Sequence, residues 1–283
     1  MKSMMKRNTF REIKKSFGRY FAILAIIALG VAFFSGLKIT QSVMVHSADV
    51  YLKDLQFYDY RLVSTLGFTE ENVEALAEKE DVRAAEGAIS AEVLYKDAGE
   101  NERVIKMHSI TEKVNKLKLI AGEMPQSADE CVVDSALFSE DAIGSKLVLS
   151  ENNTTDDLDK FAYKEYTITG LVQSPCYIQF ERGNTSIGNG RISGFAYILK
   201  DGFAVDYDTE IYIKFDEDYD IYSDEYDSYM DAKEADWEAY TKEQADIRYE
   251  KIVKDAQDEL DEKKEELEEK RAEAEAELES AKQ

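Results

Sequence analysis

Two histidines, two cysteines and 59 acidic residues are the groups in this 283-residue chain that could hold a metal or move protons. A zinc site draws its ligands from closely spaced Cys and His pairs. His46, His108, Cys131 and Cys176 are scattered singly, so no metal site is expected. Asp216, Asp218 and Asp220, with Asp227 at the twelfth position, have partial EF-hand spacing. Position six would be Ile221 in place of the glycine that the sharp turn requires, and position twelve is Asp in place of Glu. A solvated acidic stretch is the expectation there. Gly188-x-Gly190 lacks the continuation of a phosphate loop, and no G-x-S-x-G, H-E-x-x-H or Walker A run is present. Among so many acids, two carboxylates close in sequence single out no acid–base pair. No catalytic, cofactor-binding or metal-binding residue is therefore assigned. Cys131 lies in an apolar run that suits a buried free thiol, while a bridge to Cys176 remains open in an oxidising compartment.

Without chemistry of its own, the chain is read through the surroundings that its elements imply. The net charge is −24, from 35 basic and 59 acidic residues, which argues against nucleic acid as a partner. That average hides a sign change: residues 1–38 carry +7, 39–215 carry −14 and 216–283 carry −17. Between Arg19 and Lys38 lie 18 uncharged residues, Tyr20 to Leu37. As a helix they would span roughly 27 Å, close to the hydrocarbon core of about 30 Å. Tyr20, Phe21, Leu24, Ile27, Leu29, Phe33, Phe34 and Leu37 are its bulky residues. The run is longer than a signal-peptide core and ends without a small-x-small cleavage site, so a retained membrane span is expected.

Lys6, Arg7, Arg11, Lys14, Lys15 and Arg19 precede the span and few basic residues follow it closely. The positive-inside rule then places the N-terminus in the cytoplasm and the bulk of the chain outside the cell membrane. Thr9 to Glu12 has capping-box spacing, which predicts a basic amphipathic helix starting near Phe10, with Phe10, Ile13 and Phe17 on its apolar face against lipid.

Residues 38–220 read as one α+β domain. Strands are predicted over 57–65, 88–96, 103–109, 131–133, 146–149, 166–172, 195–199 and 210–215, where aromatic and β-branched residues concentrate. Thr69 is an N-cap candidate for a short helix with Val73, Leu76 and Ala77 on one side. A mixed sheet with helices on one side is the expected arrangement. From about Ser223 to the end there is no Gly or Pro, and Ala, Glu, Lys and Leu dominate, which predicts a long helical stalk over 221–283. Val253, Leu260, Leu267 and Ala274 recur every seven residues. The companion heptad position is mostly polar, so this seam is too thin for a strong parallel dimer and suits an antiparallel pair with a second helix. That return helix is absent from this chain, and the expectation is an N-terminal part of a longer protein.

These pieces carry a family resemblance. The lead-in and span, NTFREIKKSFGRYFAILAIIALGVAFFSGLKIT, resemble the start of FtsX-like/MacB-type ABC transporter permeases of the Gram-positive type with a coiled-coil insertion. So do Gly122-Glu-Met-Pro followed by ECVVDSALF, and a strand beginning Gly144-Ser-Lys-Leu. The most specific stretch runs from Tyr166 to Ile198 and resembles the strand–loop–strand signature of that family's extracytoplasmic core domain. Its loop residues are Ser174, Pro175, Glu181, Arg182, Gly183, Gly188, Asn189 and Gly190. The resemblance implies a transmembrane helix over 20–37 behind a cytoplasmic segment 1–19, and a MacB-like core domain outside. It also implies a separate cytoplasmic ATPase dimer that supplies the ATP and magnesium chemistry, and a second permease copy or homologue. The role would be transport or mechanotransmission. The alternative is a single-span membrane-anchored adaptor or sensor that binds a cell-envelope partner through its domain and stalk.

Overall fold

The computed structural model describes residues 2–97 and 99–282, the side chains of residues 2, 3, 6, 273 and 275–282 excepted. The Lys6 side chain of the basic flank, the middle of the turn at Asp97–Gly99 and the last residue of the stalk lie outside the described residues. The chain divides into two units, 1–54 and 55–283.

The described part of the first unit, residues 2–54, is helical apart from one turn residue. Helix α1 (Lys2–Lys15) is followed by α2 (Phe17–Asp54), with Ser16 as a turn between them. The ladder barely breaks there: Ser16 N–H donates to the Glu12 carbonyl at 3.0 Å, and Arg19 N–H donates to the Ser16 carbonyl at 3.0 Å. Thr9 caps nothing. Its hydroxyl donates to the Met5 carbonyl at 2.9 Å, one turn back, so the helix begins before Phe10 instead of at it. Helix α2 has 38 residues and a length of about 57 Å. The Tyr20–Leu37 run lies wholly inside it, and the boundary expected at residue 38 falls in mid-helix; the folded second unit starts at Leu55.

The second unit is α+β with two sheets, where one was expected. A three-stranded antiparallel sheet has the order β1 (Tyr60–Phe68), β10 (Asp208–Phe215), β2 (Val82–Ala88). Helix α3 (Glu70–Ala77) and the start of α5 (Asp224–Lys282) supply its core, where Leu76 and Trp237 meet Val82, Ile211, Ile213 and Phe215. Thr69 is the α3 N-cap, and its N–H donates to Asn72 Oδ1 at 3.0 Å.

The larger sheet holds β3 (Ser90–Lys96), β4 (Glu102–Ser109), β5 (Lys118–Gly122), β6 (Glu130–Asp134), β7 (Lys146–Leu149), β8 (Glu165–Gln173) and β9 (Ile192–Ile198). Its order is β5-β8-β6-β9-β4-β3-β7, with parallel pairs β4/β9 and β6/β8. Strand β7 also pairs with the first half of β8, so six of the strands close into a ring. Val93, Ile105, Met107, Cys131, Tyr166 and Ile198 belong to one core cluster of this sheet. Among the described residues, this sheet is touched by short helical turns alone, α4 (Thr155–Leu158) against β3 and the 3-10 turn Glu140–Ala142 against β8. Closure of the ring thus takes the place of the helical cover expected on one side. Gly122, in the Gly-Glu-Met-Pro motif, has φ +76°, and a Cβ there would stand 2.2 Å from the Thr169 carbonyl oxygen, so only glycine lets β5 reach β8.

Candidate membrane anchor and interaction surfaces

The most apolar stretch of α2 buries nothing within the structure. Tyr20, Phe21, Leu24, Ile27, Leu29, Phe33, Phe34 and Leu37 are all exposed, as are the flanking Arg7, Arg11, Lys14, Lys15 and Arg19. Helix α2 is the one candidate span among the described residues. An exposed apolar face of this length has no stable place in water. Helix α1 leaves Phe10 exposed, and Phe17 stacks on Phe21 at 5.9 Å within α2.

In the second unit, the loop 174–190 is built around Arg182. Its Nε donates to Asp134 Oδ2 at 2.7 Å and its second terminal nitrogen donates to Oδ1 at 3.0 Å, a two-point contact between side chains only 9% and 2% exposed. The remaining guanidinium nitrogen donates to the Tyr177 carbonyl at 3.0 Å and to the Gln179 carbonyl. Asp134 ends β6, so one arginine ties the loop to the sheet. Ser174 and Pro175 are buried at the start of the loop, and Ser174 Oγ shares a hydrogen bond of 2.8 Å with Tyr197 Oη. Glu181, Gly183, Gly188 and Asn189 are exposed, and Gly190 is half-buried. The positive φ values at Gly183, Gly188 and Gly190 (118°, 58° and 81°) shape the turn that brings Asn184 opposite Arg191. The clamp also leaves Phe180, 95% exposed, on the surface.

A buried polar cluster joins the two sheets. Glu210 on β10 accepts from Ser90 on β3 at 2.5 Å and from Tyr212 at 2.5 Å, with Arg61 of β1 and Lys106 of β4 each 3.8 Å away. Burial raises its pKa, yet the Ser90 and Tyr212 hydroxyl donors, with His108 and Lys106 nearby, outweigh that and hold the carboxyl below its usual range. His108 lies beside the cluster, its Nε2 at 2.6 Å from Tyr177 Oη and its ring stacked on Tyr197 at 5.0 Å. Burial, reinforced by Lys106, drives its pKa down to about 3, so it stays neutral. Both cysteines are free, and burial pushes the Cys176 thiol up to about 11, which makes it a poor nucleophile. Asp216 and Asp218 pair with Arg83 at 3.9 and 3.8 Å and are not gathered into a cation loop.

Helix α5 changes character along its length. Tyr226 N–H donates to Ser223 Oγ at 3.1 Å as an N-cap bond, Lys233 pairs with Asp81 at 2.6 Å and Trp237 is buried. Farther on, Val253, Leu260, Leu267 and Ala274 are exposed, so the seam covers nothing among the described residues.

Spacing singles out the apolar run and the heptad seam as candidates, and the loop is singled out by the family resemblance alone. Neither points to the Asp134–Arg182 clamp or the Glu210 cluster, whose members are distant in sequence and meet only after the sheets assemble. No family model and no curated protein matches the chain. Among solved structures, the chain is similar to the extracellular domain of the noncanonic ABC-type transporter YknZ from Gram-positive bacteria, at 12% identity and a TM-score of 0.36, over 54% of this chain and 76% of that one. It is likewise similar to the periplasmic region of MacB from Actinobacillus actinomycetemcomitans, at 14% identity and a TM-score of 0.36, over 56% of this chain and 69% of that one.

Proposed function

We propose that the chain is the membrane anchor and extracytoplasmic domain of an ABC transporter permease subunit. The observation that carries this reading is α2: an apolar stretch, wholly unburied, directly behind a basic segment. A helix with that charge pattern inserts with its N-terminus in the cytoplasm. The α+β unit then stands outside, and α1 lies along the inner leaflet within reach of a cytoplasmic ATPase. ATP hydrolysis belongs to that partner, and this chain contributes no catalytic or cofactor-binding residue. The exposed α5 seam takes a second helix, and a second permease copy or homologue completes the complex. Its work is transport or the passage of conformational change across the membrane.

The resemblance of the lead-in, the Gly122 motif and the 166–198 stretch to FtsX-like/MacB-type permeases supports this reading. A photo-crosslinking residue in place of Phe10, introduced in the native host, tests it. The expected product is a crosslink to an ATPase carrying a Walker A sequence. Crosslinks to lipid alone, together with activation of a cell-wall enzyme by the purified chain without any ATPase, would establish the adaptor reading in its place.

A further inference from the structure

Helix α1 carries six basic residues in 14, Lys2, Lys6, Arg7, Arg11, Lys14 and Lys15, against the single acid Glu12. Their number bears on which way the span inserts. Their placement around the helix is a separate observation. At about 100° per residue, Arg7, Arg11, Lys14 and Lys15 fall within a wedge of about 100° along one side. Phe10 and Ile13 fall in the neighbouring wedge, and Phe17 continues them past the Ser16 turn. Asn8, Thr9 and Glu12 take the remaining side, where the Thr9 hydroxyl is already bonded to the Met5 carbonyl. Arg7, Arg11, Lys14 and Lys15 are all exposed, and none forms an ion pair among the described residues. A helix of this length is marginal in water by itself, and adjacent apolar and basic stripes suit a surface that is apolar below and negatively charged above. Just past α1, Ser16 interrupts the helix, and Gly18 has nothing within 4 Å of where a Cβ would stand. Helices bend at such Ser/Gly pairs, which frees α1 to leave the axis of α2.

We propose that the stripe of Arg7, Arg11, Lys14 and Lys15 recognises anionic lipid headgroups and docks α1 on the inner leaflet where such lipids are present. This rests on the cytoplasmic placement of α1 proposed above and adds the chemistry of its partner. The guanidinium forks take phosphate oxygens in pairs, and the lysines act as point charges beside them. A zwitterionic headgroup offers the same phosphate with its own cation attached, and so attracts the stripe less. The neighbouring apolar stripe enters the acyl boundary. An acidic groove on a protein is the competing occupant. Lipid is favoured because the apolar run of α2, beginning at Tyr20, tethers α1 to the bilayer at all times.

Amide hydrogen exchange of α1 in the full chain tests this, in nanodiscs of phosphatidylcholine alone and in discs containing about 30% phosphatidylglycerol. A nanodisc exposes both faces of the bilayer, so the result is independent of the direction of insertion. Exchange in α1 should be at least about tenfold slower in the anionic discs, and about 0.5 M salt should abolish the difference by screening exposed charges. A charge-conserving variant combines Arg7→Asn, Asn8→Arg, Arg11→Glu and Glu12→Arg. It keeps composition and net charge, moves two cations off the stripe and should lose the protection. Unchanged exchange in the second unit shows that the variant keeps its fold. Equal exchange in the two kinds of disc, protection that survives salt, or protection retained by the variant would overturn the proposal. So would protection that needs added ATPase, which would give the stripe to a protein. All these outcomes leave the N-terminus-inside orientation standing; that reading fails separately, on labelling of Thr9→Cys from outside intact cells.

Discussion

At the scale of single residues, the loop 174–190 depends on one ion pair that has left water. Breaking a buried pair from one side strands the other charge, at a loss of about 3–5 kcal/mol. Arg182→Met should therefore lower unfolding stability by about that amount, because Asp134 is buried and would keep only the Ala136 N–H at 2.9 Å. Adding Asp134→Asn to Arg182→Met should recover part of the loss, since the stranded charge is then gone. Urea titrations of the single and double variants measure both. His108 makes a second, pH-dependent prediction. Its folded pKa of about 3 lies below the unfolded value of about 6.5, so protonation favours the unfolded chain. The stabilisation is complete above pH 6.5 and is lost as the pH falls towards 3. Between pH 6.5 and 5, before most carboxylates titrate, stability should fall by about 1.4 kcal/mol per pH unit in its steeper part. His108→Gln should flatten that slope, and urea midpoints measured across the window would show it. An unchanged slope would assign the pH dependence to other groups.

Elements differ in how much of themselves their own residues disclose. Strand β7 stands where KLVL alternates, and β8 extends the Tyr166–Val172 prediction by one residue at each end. Strand β2, VRAAEGA, escaped notice because Ala, Glu and Gly have low strand propensity and only packing under α3 and against β10 makes it a strand. Strand β5 was missed because it has five residues and is ordered by a glycine contact with β8. Helix α5 shows both regimes at once. Trp237 is 5% exposed among Tyr60, Phe215 and Tyr240, so Trp237→Ala should cost about 3–5 kcal/mol. Leu260 and Leu267 are about half exposed and support nothing in this chain. Leu260→Glu with Leu267→Glu should change the unfolding free energy of the chain by less than about 0.5 kcal/mol. Capture of a complementary antiparallel helix should nonetheless fail in the same double variant. A chemical-denaturation curve separates the two sites: a large loss at the exposed pair would mean that the seam is already covered.

For the molecule as a whole, the proposed orientation rests on the charge distribution more than on any single motif. Of the +7 of residues 1–38, +6 lies before the apolar run and Lys38 closes it, and the −31 that follows is spread over the domain and stalk. Basic residues near a span resist translocation, whereas a large acidic domain follows wherever the first helix points. The first unit should thus sit with α1 on the cytoplasmic side, and the second should be reachable from outside. Cysteines placed at Thr9 and at Thr155, both exposed, read this directly once Cys131 and Cys176 are replaced by alanine. In intact cells a membrane-impermeant maleimide should label the Thr155→Cys chain and leave the Thr9→Cys chain untouched until the membrane is opened. Replacing Arg11, Lys14, Lys15 and Arg19 with glutamine removes most of the charge bias beside the span and should yield a mixed population in which both positions react. Labelling of Thr9→Cys from outside with the basic flank intact would reverse the assigned topology and remove α1 from the reach of any cytoplasmic ATPase.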